Sequence, residues 1–281
     1  MGVESEEGSM TRTATCGRSA AARGLGRAAV TLAFAALLFG SQPIGAEEMS
    51  APRILQSMSD YVGQQKTISL TFDSDIEVIT PELQKVQFTS SGKLLLSRPD
   101  KLRVTRTGGY ANVELLFDGK TVTIYGKNLD AFAQIDVAGA TTDDLVDRLR
   151  SGYAFDAPGT DLLLTNSFET LMADVVDAKL IGHGVVDGVE CEHLAFRNED
   201  VDWQLWVEVG QRPIPHKYVI TSKTVAGAPQ YTLVIRNWQS EIPGGAEAFA
   251  FKPEVAVKRV EPKELMNLDE IPEGRPMGGA K

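Results

Sequence analysis

The clearest strand and turn signals of the sequence lie in GKLLLSRPDKLRVTRTGGYANVELLFDGKTVTIY, residues 92–125. Short apolar segments alternate here with turn residues, a pattern typical of consecutive antiparallel strands. Asp118-Gly119 separates two such segments and predicts a two-residue hairpin turn with positive φ at both residues. Pro99 has no amide donor and cannot lie inside a central strand, so it marks a corner between the strands on either side of it.

Alternation with a period of two continues on both sides of this stretch. Residues 67–80 place apolar side chains on one face and polar side chains on the other, which predicts a long strand with one face in water. The same pattern covers residues 86–96, where Gly92 predicts a bulge or a bend. We predict further strands at 131–136, 179–186, 189–196, 201–209, 216–222, 231–238 and 249–251.

Three segments have the apolar spacing of amphipathic helices, namely 51–62, 141–150 and 167–176. Thr141 with Asp144 three residues later predicts a cap at the start of the second helix. Long strands cannot leave their apolar faces in water, and these helices are the covering that the sequence offers. We therefore predict one curved antiparallel sheet, closed or nearly so, with helices packed into its concave side.

The first 46 residues have the order of a secretory signal peptide: four arginines, an apolar run at 28–39, and small residues up to Ala46. The run is shorter than the roughly 20 residues of a membrane span. We expect cleavage near Ala46 and a periplasmic protein without a stable membrane anchor; a retained signal that acts as an anchor is the alternative. The predicted folded domain covers 47–256, with a helical insert at about 141–176, and a flexible C-terminal tail covers 257–281.

Composition and motifs exclude several classes of function. A formal net charge of −10 disfavours nucleic acid and anionic lipid surfaces as partners. Cys191 and His193 share a predicted strand face, but no second pair at ligand spacing accompanies them, so we predict no metal site. The glycines that flank His183 lack the spacing of a phosphate-binding loop, and no nucleophile with a base can be assembled from the motifs. We predict no catalytic residue and no cofactor.

Several motifs occur together and in order: GKLLLSRP at 92–99, DGKTVTIY at 118–125 and FAFKP at 249–253. Together they resemble the outer-membrane lipoprotein carrier proteins and their relatives. VDWQLW at 201–206 and RPIP at 212–215 make the chain more similar still to a bacterial family of predicted periplasmic proteins with a domain of unknown function (DUF2092). The resemblance covers about residues 51–253.

The resemblance implies an α+β, mainly β fold, in which a strongly curved antiparallel sheet forms an incomplete β-barrel around an apolar cavity, with amphipathic helices as a lid in the concave side. In the carriers, the arginine of the Arg-Pro motif bonds the lid helix when the cavity is empty, and Arg98 occupies that position. The residues expected to line the ligand cavity are Leu70, Phe72, Phe88, Leu94, Leu96, Leu115, Phe117, Ile124, Trp203, Leu205, Leu233 and Ile235. Those expected on the lid are Ile54, Leu55, Met58, Phe168, Leu171 and Met172.

Two alternatives remain open on the sequence. Small barrels are commonly filled by their own side chains, so the apolar face predicts either a cavity or a packed core. Arg98 is either a latch for the lid or a surface arginine before a corner proline.

We expect a non-enzymatic periplasmic protein that binds a lipid, an acylated protein or another apolar ligand. The alternative is an envelope regulator or assembly factor that recognises a protein partner without lipid transport.

Overall fold

The computed structural model describes residues 49–109, 112–153, 158–242, 245–253 and 256–265. These residues belong to one compact unit, Glu47–Lys281. The predicted signal peptide and the last part of the predicted tail, 266–281, lie outside the described residues.

The described chain contains twelve strands in one sheet and three α-helices. The helices are α1 (Ala51–Gln64), α2 (Thr142–Tyr153) and α3 (Ser167–Met172). The strands are β1 (Thr67–Ile79), β2 (Lys85–Ser97), β3 (Lys101–Gly108), β4 (Asn112–Phe117), β5 (Thr121–Gly126), β6 (Ala131–Asp136), β7 (Asp177–Val186), β8 (Val189–Arg197), β9 (Val201–Glu208), β10 (Pro215–Ser222), β11 (Gln230–Ser240) and β12 (Lys258–Arg259).

The sheet has the order β12-β6-β5-β4-β3-β2-β1-β11-β10-β9-β8-β7. Strands that follow each other in the sequence pair along most of the sheet, and the pairing of β1 with β11 joins the two halves of the chain. The two end strands, β12 and β7, do not pair with each other in the described part of the chain, so the sheet is an incomplete barrel. The predicted fold class, a curved, mainly antiparallel sheet with helices on it, is confirmed.

The two Asp-Gly turns differ from each other. Between β7 and β8, Asp187 and Gly188 both have positive φ, 48° and 83°, as a two-residue type I′ turn requires. Between β4 and β5, only Gly119 has positive φ, 96°, and the Asp118 carboxylate accepts bonds from the amides of Lys120 and Thr121, both at 2.9 Å. The prediction of positive φ at Asp118 is therefore wrong, because this side chain bonds two amides of the turn and stabilises a different loop.

Gly92 does not mark a bulge, because β1 and β2 pair without a register shift from Thr67 to Ile79. The absence of a side chain at Gly92 instead makes room for a neighbouring ring. A Cβ at Gly92 would lie 2.2 Å from the Phe72 ring and 2.4 Å from the carbonyl oxygen of Thr105. The ring of Phe72 thus lies against β2, in space that only glycine leaves open.

The C-terminal region differs from prediction in two places. Phe249 belongs to a 3₁₀ helix, Ala246–Phe249, rather than to a strand at 249–251. Residues 258–259, expected in a flexible tail, form β12, because the outer edge of β6 offers unpaired backbone groups, and the amides of Lys258 and Val260 donate to carbonyls there at 2.8 and 2.9 Å. The tail prediction does not describe this segment.

The helices cover the inner face of the sheet as predicted, and their ends have local causes. Reciprocal bonds join Thr141 and Asp144, with the Asp144 amide donating to Thr141 Oγ1 at 3.1 Å, which confirms the predicted cap of α2. Helix α3 ends at Met172, earlier than predicted, because the Val176 amide already bonds the Arg197 carbonyl of β8 at 2.8 Å.

Two apolar clusters form beneath the helices. The first joins α1 and α3 to β1, β2 and β8–β11, and includes Leu55, Met58 and Leu205, which are fully buried. The second joins α2 to β4–β6, and includes Phe117 and Leu145. The core is therefore divided, and the space between the two clusters is where a ligand site can form.

Candidate functional site

A cavity of about 220 Å³ lies between the inner face of the sheet, helix α2 and the segment that follows this helix. Both apolar clusters contribute to its walls, so it occupies the gap between them. Its apolar lining residues are Leu70, Phe72, Leu94, Leu102, Val104, Val113, Leu115, Ile124, Leu145, Val146, Leu149, Pro158, Leu163, Leu233, Ile235 and Leu265, with Tyr231 beside them. The structure thus contains a cavity as well as a packed core.

Seven of the residues expected in the cavity lie in its walls: Leu70, Phe72, Leu94, Leu115, Ile124, Leu233 and Ile235. The other five lie elsewhere. Leu96, Trp203 and Leu205 are in the first apolar cluster, under α1 and α3, and Phe117 is in the second. Phe88 is half-buried near the start of β2 and does not line the cavity. An apolar inward position identifies the inner face, but it does not tell which part of that face a helix fills.

The residues expected on the lid also lie away from the cavity. Ile54, Leu55 and Met58 of α1 are buried in the first cluster, with Leu171 of α3; Phe168 and Met172 pack against it. These two helices fill one half of the inner face. The wall opposite the sheet is instead formed by α2 and by the turn at residues 158–160. In the sequence, the amphipathic stripe of Leu145, Val146 and Leu149 indicated that α2 turns an apolar face toward the sheet.

Two glycines shape the cavity. Gly92 lets the Phe72 ring lie against β2, as described above. Gly159 has φ 91° and is buried, and a Cβ there would lie 2.6 Å from a methyl carbon of Leu233. A larger residue at either position would push a wall residue, Phe72 or Leu233, out of its place.

Arg98 joins the separate pieces that cover the sheet. Its Nε donates to the Gln65 carbonyl, just after α1, at 3.1 Å, and its Nη2 donates to the Leu163 carbonyl at 2.7 Å. Its Nη1 donates to Thr165 Oγ1 at 3.2 Å and lies 3.6 Å from Asp143 of α2. One guanidinium thus connects the end of α1, the 3₁₀ helix Thr160–Leu163 and α2 from the corner between β2 and β3.

Burial affects this guanidinium. The side chain of Arg98 is only 12% exposed. Desolvation lowers the pKa of Arg98 from its ordinary value, and the carboxylate of Asp143 opposes this effect. A surface arginine before a corner proline would not have two backbone carbonyls and a carboxylate in reach. The latch role stays a prediction, and the geometry it needs is present.

Cys191 and His193, which share a strand face, have different surroundings in the structure. The imidazole of His193 stacks on Trp206, with ring centroids 4.1 Å apart, and shares a hydrogen bond with Gln204 at 2.9 Å. Within the described residues no three His, Cys, Asp or Glu side chains lie close enough to hold a metal ion. Cys191 is fully buried.

Burial predicts that Cys191 is chemically inert in the folded protein. Desolvation raises the pKa of the Cys191 thiol to about 11, with a further contribution from Glu208. Because the thiolate is the reactive form, we expect a thiol reagent at about pH 8 to label the native protein far more slowly than the protein in urea. Mass spectrometry of the labelled mature chain measures both rates, and equal rates would contradict the buried position of Cys191 on β8.

No helix of the described residues has the length and apolar character required to cross a membrane.

Comparisons with solved structures give several matches at low sequence identity. An uncharacterized conserved protein from Thermus thermophilus has 12% identity and a TM-score of 0.46, over 75% of this chain and 98% of that one. A LolA superfamily protein from Nitrosomonas europaea has 11% identity and a TM-score of 0.32, over 73% and 99%. The protein LprF from Mycobacterium bovis has 13% identity and a TM-score of 0.38, over 69% and 97%.

No curated protein matches the sequence. Residues 51–261 match the family described as "Predicted periplasmic protein (DUF2092)", which confirms the stronger of the two resemblances seen in the motifs and the periplasmic location. Since the match spans more than half of the chain, the protein belongs to this family of predicted periplasmic proteins.

Proposed function

We propose that this protein is a non-enzymatic periplasmic binding protein that holds one apolar chain, from a lipid, an acylated protein or a similar ligand, between the sheet and α2. The observation that carries the proposal is the cavity itself. Its walls come from six neighbouring strands, β11 and β1–β5, and from α2, and most of its lining is aliphatic. Apolar, concave and preformed sites of this kind are the usual binding sites for small ligands.

The cavity is large enough for part of a hydrocarbon chain. Engineered apolar cavities of about 150 Å³ already hold a benzene molecule. A cavity of about 220 Å³ therefore has room for part of an acyl chain before any movement of α2. Each CH₂ group transferred from water contributes about 0.8 kcal/mol, so a chain of about ten such groups gains about 8 kcal/mol from burial alone, from which the cost of association is subtracted.

The bonds of Arg98 suggest how such a ligand enters. The cavity is covered by α2 and by residues 158–160, and both connect directly to groups that Arg98 holds, Asp143 and Leu163. A longer chain requires these pieces to move away from the sheet. Release of the Arg98 bonds is the step that would permit this movement, since they join α1, α2 and the 3₁₀ helix at one point.

A second candidate function, recognition of a protein partner, is favoured by the edge strand β7. Ile181 and Val185 are 54% and 71% exposed on this strand, and β7 has no partner strand on its outer side among the described residues. Edge strands of this kind can add a strand from another protein. In this alternative the cavity would bind nothing.

A fluorescence titration tests the proposed function and separates the two candidates. The mature protein, without residues 1–46, is titrated with the dye N-phenyl-1-naphthylamine, and dodecanol is then added as a competitor. We expect saturable binding of one dye per chain and full displacement by dodecanol. Fluorescence that never saturates, or that dodecanol leaves unchanged, would contradict the proposed function and favour partner recognition.

A further inference from the structure

The inner face of the sheet changes from apolar to polar along strands β1, β2 and β3. Residues that are direct partners across these strands form successive rows. The first two rows are fully apolar, and the next two contain a cation and hydroxyl groups. In order, the rows are Ile68–Leu96–Leu102, Leu70–Leu94–Val104, Phe72–Gly92–Arg106 and Ser74–Ser90–Gly108.

The polar end of this face belongs to the cavity. Ser74 and Arg106 both lie in its walls. Ser74 and Ser90 are 4% and 2% exposed, and their hydroxyl oxygens are 2.8 Å apart, so they satisfy each other. Arg106 is half-buried in the adjacent row. A long ligand in this cavity therefore meets hydrocarbon at one end and polar groups at the other.

Helix α2 supplies a second cation at the same end. Arg150 lines the cavity, and its guanidinium bonds Asp161 at 2.7 Å and Thr160 at 3.2 Å. The neighbouring Gly159 lies against Leu233, which is the direct partner of Ser74 on β11. Thr160 and Arg150 are thereby placed beside the row that contains Ser74.

Among the described residues, the charged side chains that line the cavity are both cations. Its ionisable side chains other than Tyr231 are Arg106 and Arg150, and no carboxylate lines the cavity in the described part of the chain. Asp161 pairs with Arg150 but is not a wall residue. Two wall cations in a chain of net charge −10 make the polar end of the cavity unlike the rest of the protein. Guanidinium groups bind carboxylate and phosphate oxygens through charge-assisted hydrogen bonds.

We propose that the ligand is an amphiphile whose polar end is an anion, a carboxylate or a phosphate, bound by Arg106 and Arg150, with its hydrocarbon chain directed toward Leu70 and Leu94. This inference rests on the function proposed above. It names the chemical class of the ligand, and it assigns Arg106 and Arg150 as head-group residues.

Matched ligands test this class on the wild-type protein. Dodecanoate, dodecyl phosphate, dodecanol and dodecyltrimethylammonium share one chain and differ at the head, and each competes with the dye. We expect the two anions to bind about tenfold or more tightly than dodecanol, because a charged head gains charge-assisted hydrogen bonds that a hydroxyl does not. Inorganic phosphate alone should not displace the dye; if it does, the site binds a free anion and not an amphiphile, and the inference is wrong.

Two variants complete the test. Arg106→Gln should reduce the affinity for both anions about tenfold and leave dodecanol unchanged, since only the anions lose a charged partner. Arg148→Gln, on the exposed side of α2, removes the same charge and should change neither. If dodecanol and the anions bind equally, the inference fails while the proposed function stands. If none of them binds, the proposed function is wrong, and the inference, which rests on it, is wrong as well.

Discussion

Arg98→Leu should lower the free energy of unfolding by about 2–4 kcal/mol and expose residues 142–172 to solvent exchange. The carbonyl oxygens of Gln65 and Leu163 would each lose a donor, and Asp143 would lose the Arg98 cation. A leucine cannot replace these bonds, and the acceptors it leaves behind are partly buried. Urea denaturation followed by tryptophan fluorescence measures the stability, and hydrogen-deuterium exchange with mass spectrometry locates the opening.

The matched control is Arg148→Leu. Arg148 is an exposed residue of α2, so the same chemical change should cost no more than a few tenths of a kcal/mol. If Arg98→Leu matches the wild type in stability, in exchange over residues 142–172 and in dye loading, Arg98 does not act as a latch. A loss of stability with unchanged exchange in this region would also contradict the latch, because the effect would then lie elsewhere.

Val146→Trp should weaken dye binding about tenfold or more, with a small change in stability. Val146 lines the cavity from α2 and is only half-buried, so an indole at this position can enter the cavity without displacing a packed core residue. Space for two CH₂ groups is worth about 1.6 kcal/mol, which corresponds to more than a tenfold change in affinity. Titration of the variant with N-phenyl-1-naphthylamine gives the affinity directly.

Asp147→Trp provides the comparison for this experiment. Asp147 is the next residue on α2 and is exposed, so the same indole would project into solvent. We expect the affinity of this variant to equal that of the wild type. Equal weakening by the two variants would mean that the dye binds to the outer surface of α2, and the cavity would then not be the binding site.

The local parts of the fold could be predicted because their causes are local. The alternation at 67–80 and 86–96, the corner at Pro99 and the strand at 131–136 follow from residues close in sequence, and the structure has strands at 67–79, 85–97 and 131–136 with the corner between the second and β3. The cap between Thr141 and Asp144 likewise depends on residues only three positions apart. The turn at Asp118 shows the limit of such rules, since a side-chain bond to two amides selects a loop that the Asp-Gly pair alone does not.

No pattern in the sequence predicted which distant segments of the chain pack together. Strand β1 pairs with β11, more than a hundred residues away, and nothing in either segment specifies the other. The division of the inner face between α1, α3 and α2 depends on three-dimensional packing, which is why Trp203 and Leu205 lie under helices while Leu233 faces the cavity. Arg106 and Arg150 occur among the apolar residues of β3 and α2, a pattern visible in the sequence but open to an ordinary surface interpretation.

Native mass spectrometry of the mature protein, purified from the periplasm without detergent, shows whether the cavity holds a ligand. We expect a fraction of molecules to carry one added mass, and we expect organic extraction to recover it as a molecule with a hydrocarbon chain. Val146→Trp should lose this added mass, and Asp147→Trp should retain it. A chain that carries no added mass, together with no dye binding after extraction, would show that the cavity holds no ligand and would contradict the proposed function.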